Sequence, residues 1–260
     1  MTDEVVLRAI RQIGPVRQSL LEACGIHDFK QLYQVAECWK DIPNISSVAD
    51  RLTATHGMAW RQKMGGSYLS KIVYSAKSIV ENRPIQLQPI SLPTASAEFY
   101  IDLEYGDFPF CIGVKAVEGG SIRKFQRFIG SAHDAKRTVL EFKDLFRNVD
   151  DYVAYTWSGQ DSRILGLERN HVDLYAIVNR CLMMPMKSFN VKDMAVYFGH
   201  QSPPLSIRDG LACLLTFDEY RSSNSEGSRE RLRKEIEDYN WNDVESLHDI
   251  AQAIRRRQVL

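Results

Sequence analysis

An α/β domain preceded by a small all-α one is the fold class this sequence predicts, and three observations predict it. Apolar residues recur three and four apart before residue 83, which is a helical period. From residue 98 they alternate by two, which is the period of a strand. Between the two regimes lie Pro84, Pro89 and Pro93, separated by Gln, Ser and Thr. Three prolines so close favour extended chain over helix. The expected division is therefore a helical module at 1–83, a proline-rich linker at 84–95 and an α/β domain at 96–260.

In the first module Leu7, Ile10 and Ile13 fit one helical face, followed by Leu20, Leu21 and Cys24. Further helices are predicted near 29–37, 46–56 and 67–81, and no strand pattern precedes residue 95. After the linker, Glu98–Tyr105 and Phe110–Val117 read as strands. Ile122–Phe128 reads as a third, joined to the second by a Gly119-Gly120 hairpin turn. Residues 131–148 carry Ala135, Val139, Phe142, Leu145 and Phe146 on one helical face. Tyr152–Trp157 is a short strand, and from about 161 the pattern is mostly helical. The polar stretch 221–229 reads as a loop, and Tyr239–Asp243 as the opening of the last helix.

Composition sets the outer limits. The chain has 260 residues, 44% hydrophobic and 25% charged, which excludes a mainly disordered, collagen-like or disulfide-scaffold protein. Lysine and arginine number 33, as do aspartate and glutamate. The zero sum conceals a split: residues 1–95 hold 11 basic and 8 acidic side chains, and the remaining residues hold 22 and 25. Between positions 51 and 83, Arg51, Arg61, Lys63, Lys71, Lys77 and Arg83 face only Glu81. Five cysteines without C-x-x-C spacing indicate reduced, mostly buried thiols rather than zinc ligands or disulfides. The start Met1-Thr2-Asp3-Glu4 is acidic without an apolar core, and no run of eighteen apolar residues occurs. Neither a signal peptide nor a membrane span is expected, and a cytoplasmic location is.

The chemistry concentrates in acids of the second domain. Asp102 and Glu104 are two apart on a predicted strand, so both carboxylates project to one face while Ile101 and Leu103 face the other. Paired carboxylates repel unless a cation lies between them, and hard oxygen donors suit Mg²⁺ or Mn²⁺. Alternating acids are also common on solvent-facing strands, so the pair needs support from elsewhere in the chain. Asp161 follows the strand Tyr152–Trp157 at a strand-to-helix junction, and Tyr239 and Asp243, four apart, share a helical face. Other single residues have plainer readings. His133, His171 and His248 are read as polar groups in helical contexts, and Met183, Met184 and Met186 as core. Arg255-Arg256-Arg257 reads as a solvated helix end, and Trp157 and Trp241 as core packing rather than base stacking. Asp173 is either a helix N-terminal acid or a residue that shapes the site.

Two resemblances follow from these residues. Residues 7–26, LRAIRQIGPVRQSLLEACGI, resemble a helix-hairpin-helix, with Gly14 retained and Gln12 where the first glycine usually stands. In that family the hairpin amides hold a DNA phosphate. A second, glycine-free copy is expected near Trp39, with its turn at Ile42–Ser46. The resemblance, with the basic stretch, makes Gly14, Arg51, Arg61, Lys63 and Lys71 candidate nucleic-acid contacts; a solvated face is the plainer alternative.

The acidic motifs, in order, resemble the RNase H-like 3′–5′ exonucleases of the DEDD type whose last motif is Tyr-x-x-x-Asp. More closely, the chain looks like the RNase H-like nuclease domain that follows helix-hairpin-helix repeats in certain RecB-like bacterial proteins. The segment Ser188–Gly199 echoes a stretch between the second and third motifs there, whereas Thr156 stands where that family often has His. The resemblance implies an RNase H-like mixed sheet with flanking helices. It implies hydrolysis of nucleic acid, DNA rather than RNA, through two Mg²⁺ or Mn²⁺ ions. Asp102 would be shared, Glu104 and Asp243 would complete one site, Asp161 would serve the other through water, and Tyr239 would orient the attacking water. A protein partner supplying further nuclease or helicase functions is compatible with it. The alternative is a non-catalytic nucleic-acid-binding or partner-docking module on a degenerate RNase H-like scaffold.

Overall fold

The structure, a computed structural model, describes residues 7–35, 45–65, 67–147, 149–167 and 170–257. The chain divides into two compact units, one of residues 1–89 with 178–189 and the other of 90–177 with 190–260.

The first unit is mainly helical. A 3-10 turn at Leu7–Ala9 precedes α1 (Pro15–Glu22), α2 (Phe29–Val35), α3 (Ile45–His56), the single turn α4 (Arg61–Met64) and α5 (Tyr68–Glu81). Leu7, Ile10, Leu21, Leu32, Leu52, Met64 and Ile72 close its core. Fully burying each such side chain stabilises by about 1.5–3 kcal/mol. Among the described residues the segment before the first hairpin is the 3-10 turn rather than an α-helix. The expected second hairpin falls largely in 36–44, outside the described residues. Gln12 has φ +73°, the left-handed conformation that a glycine adopts freely, and Arg17 Nη1 donates to its carbonyl at 2.6 Å. Gly14 caps α1 from an extended conformation, which lets Pro15 occupy the first helical position.

One sequence expectation fails here. The linker region does contain a strand, β1 (Ile85–Gln86), which pairs antiparallel with a later two-residue strand, Leu182–Met183. Strands this short carry too few residues to show a period. Ser78 Oγ donates to Met183 O at 3.0 Å and ties the ribbon to α5.

The second unit is a mixed α/β domain. Its five-stranded sheet comprises β2 (Ala97–Tyr105), β3 (Pro109–Glu118), β4 (Ser121–Phe128), β5 (Tyr152–Thr156) and β6 (His171–Asp173), in the order β4-β3-β2-β5-β6. The hairpins β2–β3 and β3–β4 are antiparallel, while β2–β5 and β5–β6 are parallel. Gly119 and Gly120, both at positive φ, make the β3–β4 turn, which explains the paired glycines. One sheet face is covered by α6 (Ala132–Arg147), whose Ala135, Thr138, Phe142 and Phe146 form the buried stripe. Phe146 meets Phe99 edge-to-face at 4.9 Å. The helix α7 (Gly159–Leu165) follows β5, and α8 (Leu174–Cys181) follows β6 and leads to β7, the Leu182–Met183 strand of the first unit.

After β7 come α9 (Val191–Tyr197), α10 (Gly210–Ser222) and α11 (Glu226–Arg257). The last is 32 residues long and buries Leu232, Ile236, Tyr239, Asp243, Leu247, Ile250 and Ile254 along one stripe. Tyr239–Asp243 therefore lies in the middle of this helix, not at its start. The expected loop at 221–229 reduces to 223–225. The early turns of α11 are polar because they face solvent, and they are laced by i,i+4 pairs such as Arg231–Glu235 and Arg233–Glu237. His171 lies in a strand, not a helix. Arg255 is no solvated end: its guanidinium lies 2.5 Å from Glu98 and 2.7 Å from the Tyr155 hydroxyl. Among the described residues no helix is long and apolar enough to cross a membrane.

Candidate metal centre

The centre forms where β2 meets α11. β2 is apolar toward α6, through Phe99, Ile101 and Leu103. The alternate residues Asp102 and Glu104 therefore point to the α11 side. There Asp243 meets them, and one carboxylate oxygen from each of the three lies within 4.8 Å of the others.

Close approach of the helix depends on Gly113, the β3 partner of Asp102. A Cβ at that position would collide with Asn240 Oδ1 and come to 2.9 Å from Val244 Cγ2. In the space so left, Asn240 Nδ2 donates to Asp102 Oδ2 and to the Asp102 carbonyl, each at 2.9 Å. Gln126 of β4 holds Asn240 in turn, donating to its Oδ1 at 3.1 Å and to Glu237 O at 2.6 Å. Asn240 is fully buried, so its amide orientation is set by these bonds.

Burial raises the proton affinity of these acids, and repulsion between carboxylates adds to it for Asp102, Glu104 and Asp161. Burial, then the charges of Glu104 and Asp243, raise the Asp102 carboxyl well above the usual carboxylate range. Burial, then Asp243, push Glu104 up to about 7. Asp243 is raised by burial to about 6, with the Lys192 ammonium pulling it the other way. Asp161, on the first turn of α7 and buried, is pushed to about 9 by burial and by the charges of Asp102 and Asp173. It lies outside the three-carboxylate group but within electrostatic reach of Asp102. Burial, followed by the neighbouring carboxylates, also raises the Tyr239 hydroxyl far above its ordinary value. It is a phenol at neutral pH, a hydrogen-bonding group rather than a base.

Three residues here were not legible as site residues. Lys192 Nζ lies 3.9 Å from Asp243 Oδ1 and 3.5 Å from the Tyr239 ring centroid. The buried thiol of Cys213 on α10 lies within electrostatic reach of the Glu104 carboxyl. Asn240 sits inside the Tyr239–Asp243 motif, where its helical offset from Asp243 was the available signal. Thr156, in the place of the expected His, bonds His171 Nε2 at 2.8 Å, so an imidazole does reach that position from β6.

The basic candidates belong to the first unit. Arg51 donates to Cys24 O at 2.6 Å and so satisfies a carbonyl beyond the end of α1. Arg61 and Lys63 are exposed on α4, Gly14 is exposed, and Lys71 is half-buried on α5.

A model of the RNase_H superfamily matches residues 99–255, more than half of the chain, and the chain belongs to that superfamily. The match spans β2 through α11 and so includes all three clustered carboxylates. No curated protein and no solved structure matches the chain. Membership supports nucleic-acid hydrolysis as the class of activity and nucleic acid as the partner. The residues fit a divalent metal ion: three hard oxygen donors converge, and Asp243 Oδ1 is buried with no hydrogen-bond partner.

Proposed function

We propose that this protein is a metal-dependent nuclease, most specifically a 3′–5′ exonuclease acting on DNA. The observation that carries this reading is the convergence of Asp102, Glu104 and Asp243 within 4.8 Å, in a superfamily of nucleic-acid hydrolases. Asp102, Glu104 and Asp243 would hold one Mg²⁺ or Mn²⁺ ion, and Asp161 with Asp102 a second. Bound divalent ions supply Lewis-acid stabilisation of phosphate charge and a water of lowered pKa.

The chain's own residues do the rest. Asn240 fixes the rotamer of Asp102 by its two hydrogen bonds. Tyr239, which keeps its proton, orients the attacking water. Residues 1–83 act as a helix-hairpin-helix-like module, in which Gly14 and the basic side chains Arg51, Arg61, Lys63 and Lys71 contact the phosphate backbone. Residues 84–95 link it to a nuclease domain at 96–260.

The test is incubation with end-labelled single-stranded DNA, duplex DNA and RNA oligonucleotides, with and without Mn²⁺. Stepwise shortening of DNA from its 3′ end, lost in Asp102→Ala, is the expected result. Equal degradation by parent and variant would remove the site assignment. Binding without cleavage of any substrate would favour a non-catalytic module instead.

A further inference from the structure

Lys192 stands out as a cation already placed at the acidic centre. It is carried on α9, whose N-terminus is capped by Asn190 accepting from the Asp193 amide at 2.8 Å. Its ammonium donates to Arg208 O at 3.0 Å, lies 3.5 Å from the Tyr239 ring centroid and 3.9 Å from Asp243 Oδ1. That same oxygen is the buried one without a hydrogen-bond partner. The ion pair is too long for a hydrogen bond, so the lysine faces the carboxylate without satisfying it. Asp193, next in sequence, is turned away to Asn190.

We propose that Lys192 is a tethered rival of the divalent ion, a positioning residue that neutralises Asp243 in the metal-free protein and sets how tightly the centre binds metal. The proposal rests on the metal-site reading above. A lysine suits this role better than an arginine: its ammonium is a point charge on a flexible stem, able to retract toward Arg208 and the Tyr239 ring without breaking a bidentate fork. A metal ion entering beside Asp243 must overcome a positive charge about 4 Å from one of its ligand oxygens. At that distance unit charges interact strongly even under partial solvent screening. Removing the lysine charge therefore strengthens metal binding. Damage to the centre would weaken it, so the sign separates a rival cation from a merely structural side chain.

The experiment is a Mn²⁺ titration followed by thermal shift and by calorimetry, on parent, Lys192→Met, Lys192→Arg and the remote control Lys136→Met. The expected result is Mn²⁺ binding on the order of tenfold tighter in Lys192→Met. Lys192→Arg, which keeps the positive charge, should bind Mn²⁺ no more tightly than the parent, and Lys136→Met should stay close to the parent. If Lys192→Met melts too low for titration, Lys192→Gln carries the same expectation. Equal or weaker binding in the neutral variants, while Asp102→Asn abolishes the parent's response, overturns the role of Lys192 and leaves the metal centre standing. No Mn²⁺ response in the parent overturns both.

Discussion

Asn240 and Asp102 are joined twice, by one amide nitrogen that reaches both the side-chain and the main-chain oxygen of the aspartate at 2.9 Å. The helix thus grips the strand at the residue that would be shared between metal ions. Asn240→Ala should cost about 1–3 kcal/mol, because Asp102 loses a buried donor and one bond of Gln126 goes unmade. Nuclease activity should fall at least tenfold while the far-ultraviolet circular dichroism stays native. Urea melts and initial rates on labelled DNA check both halves.

Gly113→Ala tests the spacing beneath that contact. The added methyl would collide with Asn240 and crowd Val244, both on the buried stripe of α11. Overpacking of this kind typically costs about 1–3 kcal/mol. Metal response should weaken in parallel, although position 113 bears no ligand. A variant with parent-like urea midpoint and Mn²⁺ affinity would show that α11 has room to shift.

Neutralising a clustered acid should separate stability from function. Asp102→Asn relieves repulsion with Glu104 and Asp243 and, in EDTA, should melt at least as high as the parent, by up to a few degrees. The same substitution should abolish the Mn²⁺-induced rise in Tm and the hydrolysis of DNA. A lower melting point in EDTA would mean that the carboxylate supports the metal-free fold.

The raised carboxyls predict how stability varies with pH. Asp161 near 9, Glu104 near 7 and Asp243 near 6 each bind a proton more tightly folded than unfolded. Their contribution is fully present below about pH 4 and is lost progressively as pH rises toward 9. Asp249, lowered by His200 and His248 against the opposing effect of burial, works in the opposite sense at the acid end. Thermal melts in EDTA should therefore fall between pH 5 and pH 8.5, and Asp161→Asn should flatten the upper part of that decline. Mn²⁺ should stabilise more at pH 8 than at pH 5.5, because protons and metal compete for the same oxygens.

Gln12 offers a test in the first unit. A side chain at φ +73° is strained by about 1 kcal/mol relative to glycine, and its amide oxygen is buried without a partner. Gln12→Gly should raise stability by about 0.5–1 kcal/mol, measured by chemical denaturation. If residues 7–26 act as a phosphate-binding hairpin, oligonucleotide affinity should rise or hold.

The legible parts of this fold are those with a repeated local signal. β2, β3 and β4 show alternation and a two-glycine turn, and Asp102 with Glu104 could be placed on one face from spacing alone. Tyr239 and Asp243 were recognisable by their four-residue spacing. Their place within α11 was not, because the helix's early turns are polar on the solvent side and resemble a loop. Strands of two or three residues, β1, β6 and β7, have no period to read. Lys192, Cys213 and Arg255 act through partners distant in sequence, and only the packing of α9, α10 and α11 on the sheet brings those partners near.

The three clustered carboxylates come from segments far apart in the chain. Asp102 and Glu104 belong to the first strand of the sheet, and Asp243 to the last helix that packs on it. A ribosome releases the strand well before the helix. A nascent chain holding only the strand carries two carboxylates and no third. On the proposed metal-site reading, the ligand set is complete only once α11 has packed against β2.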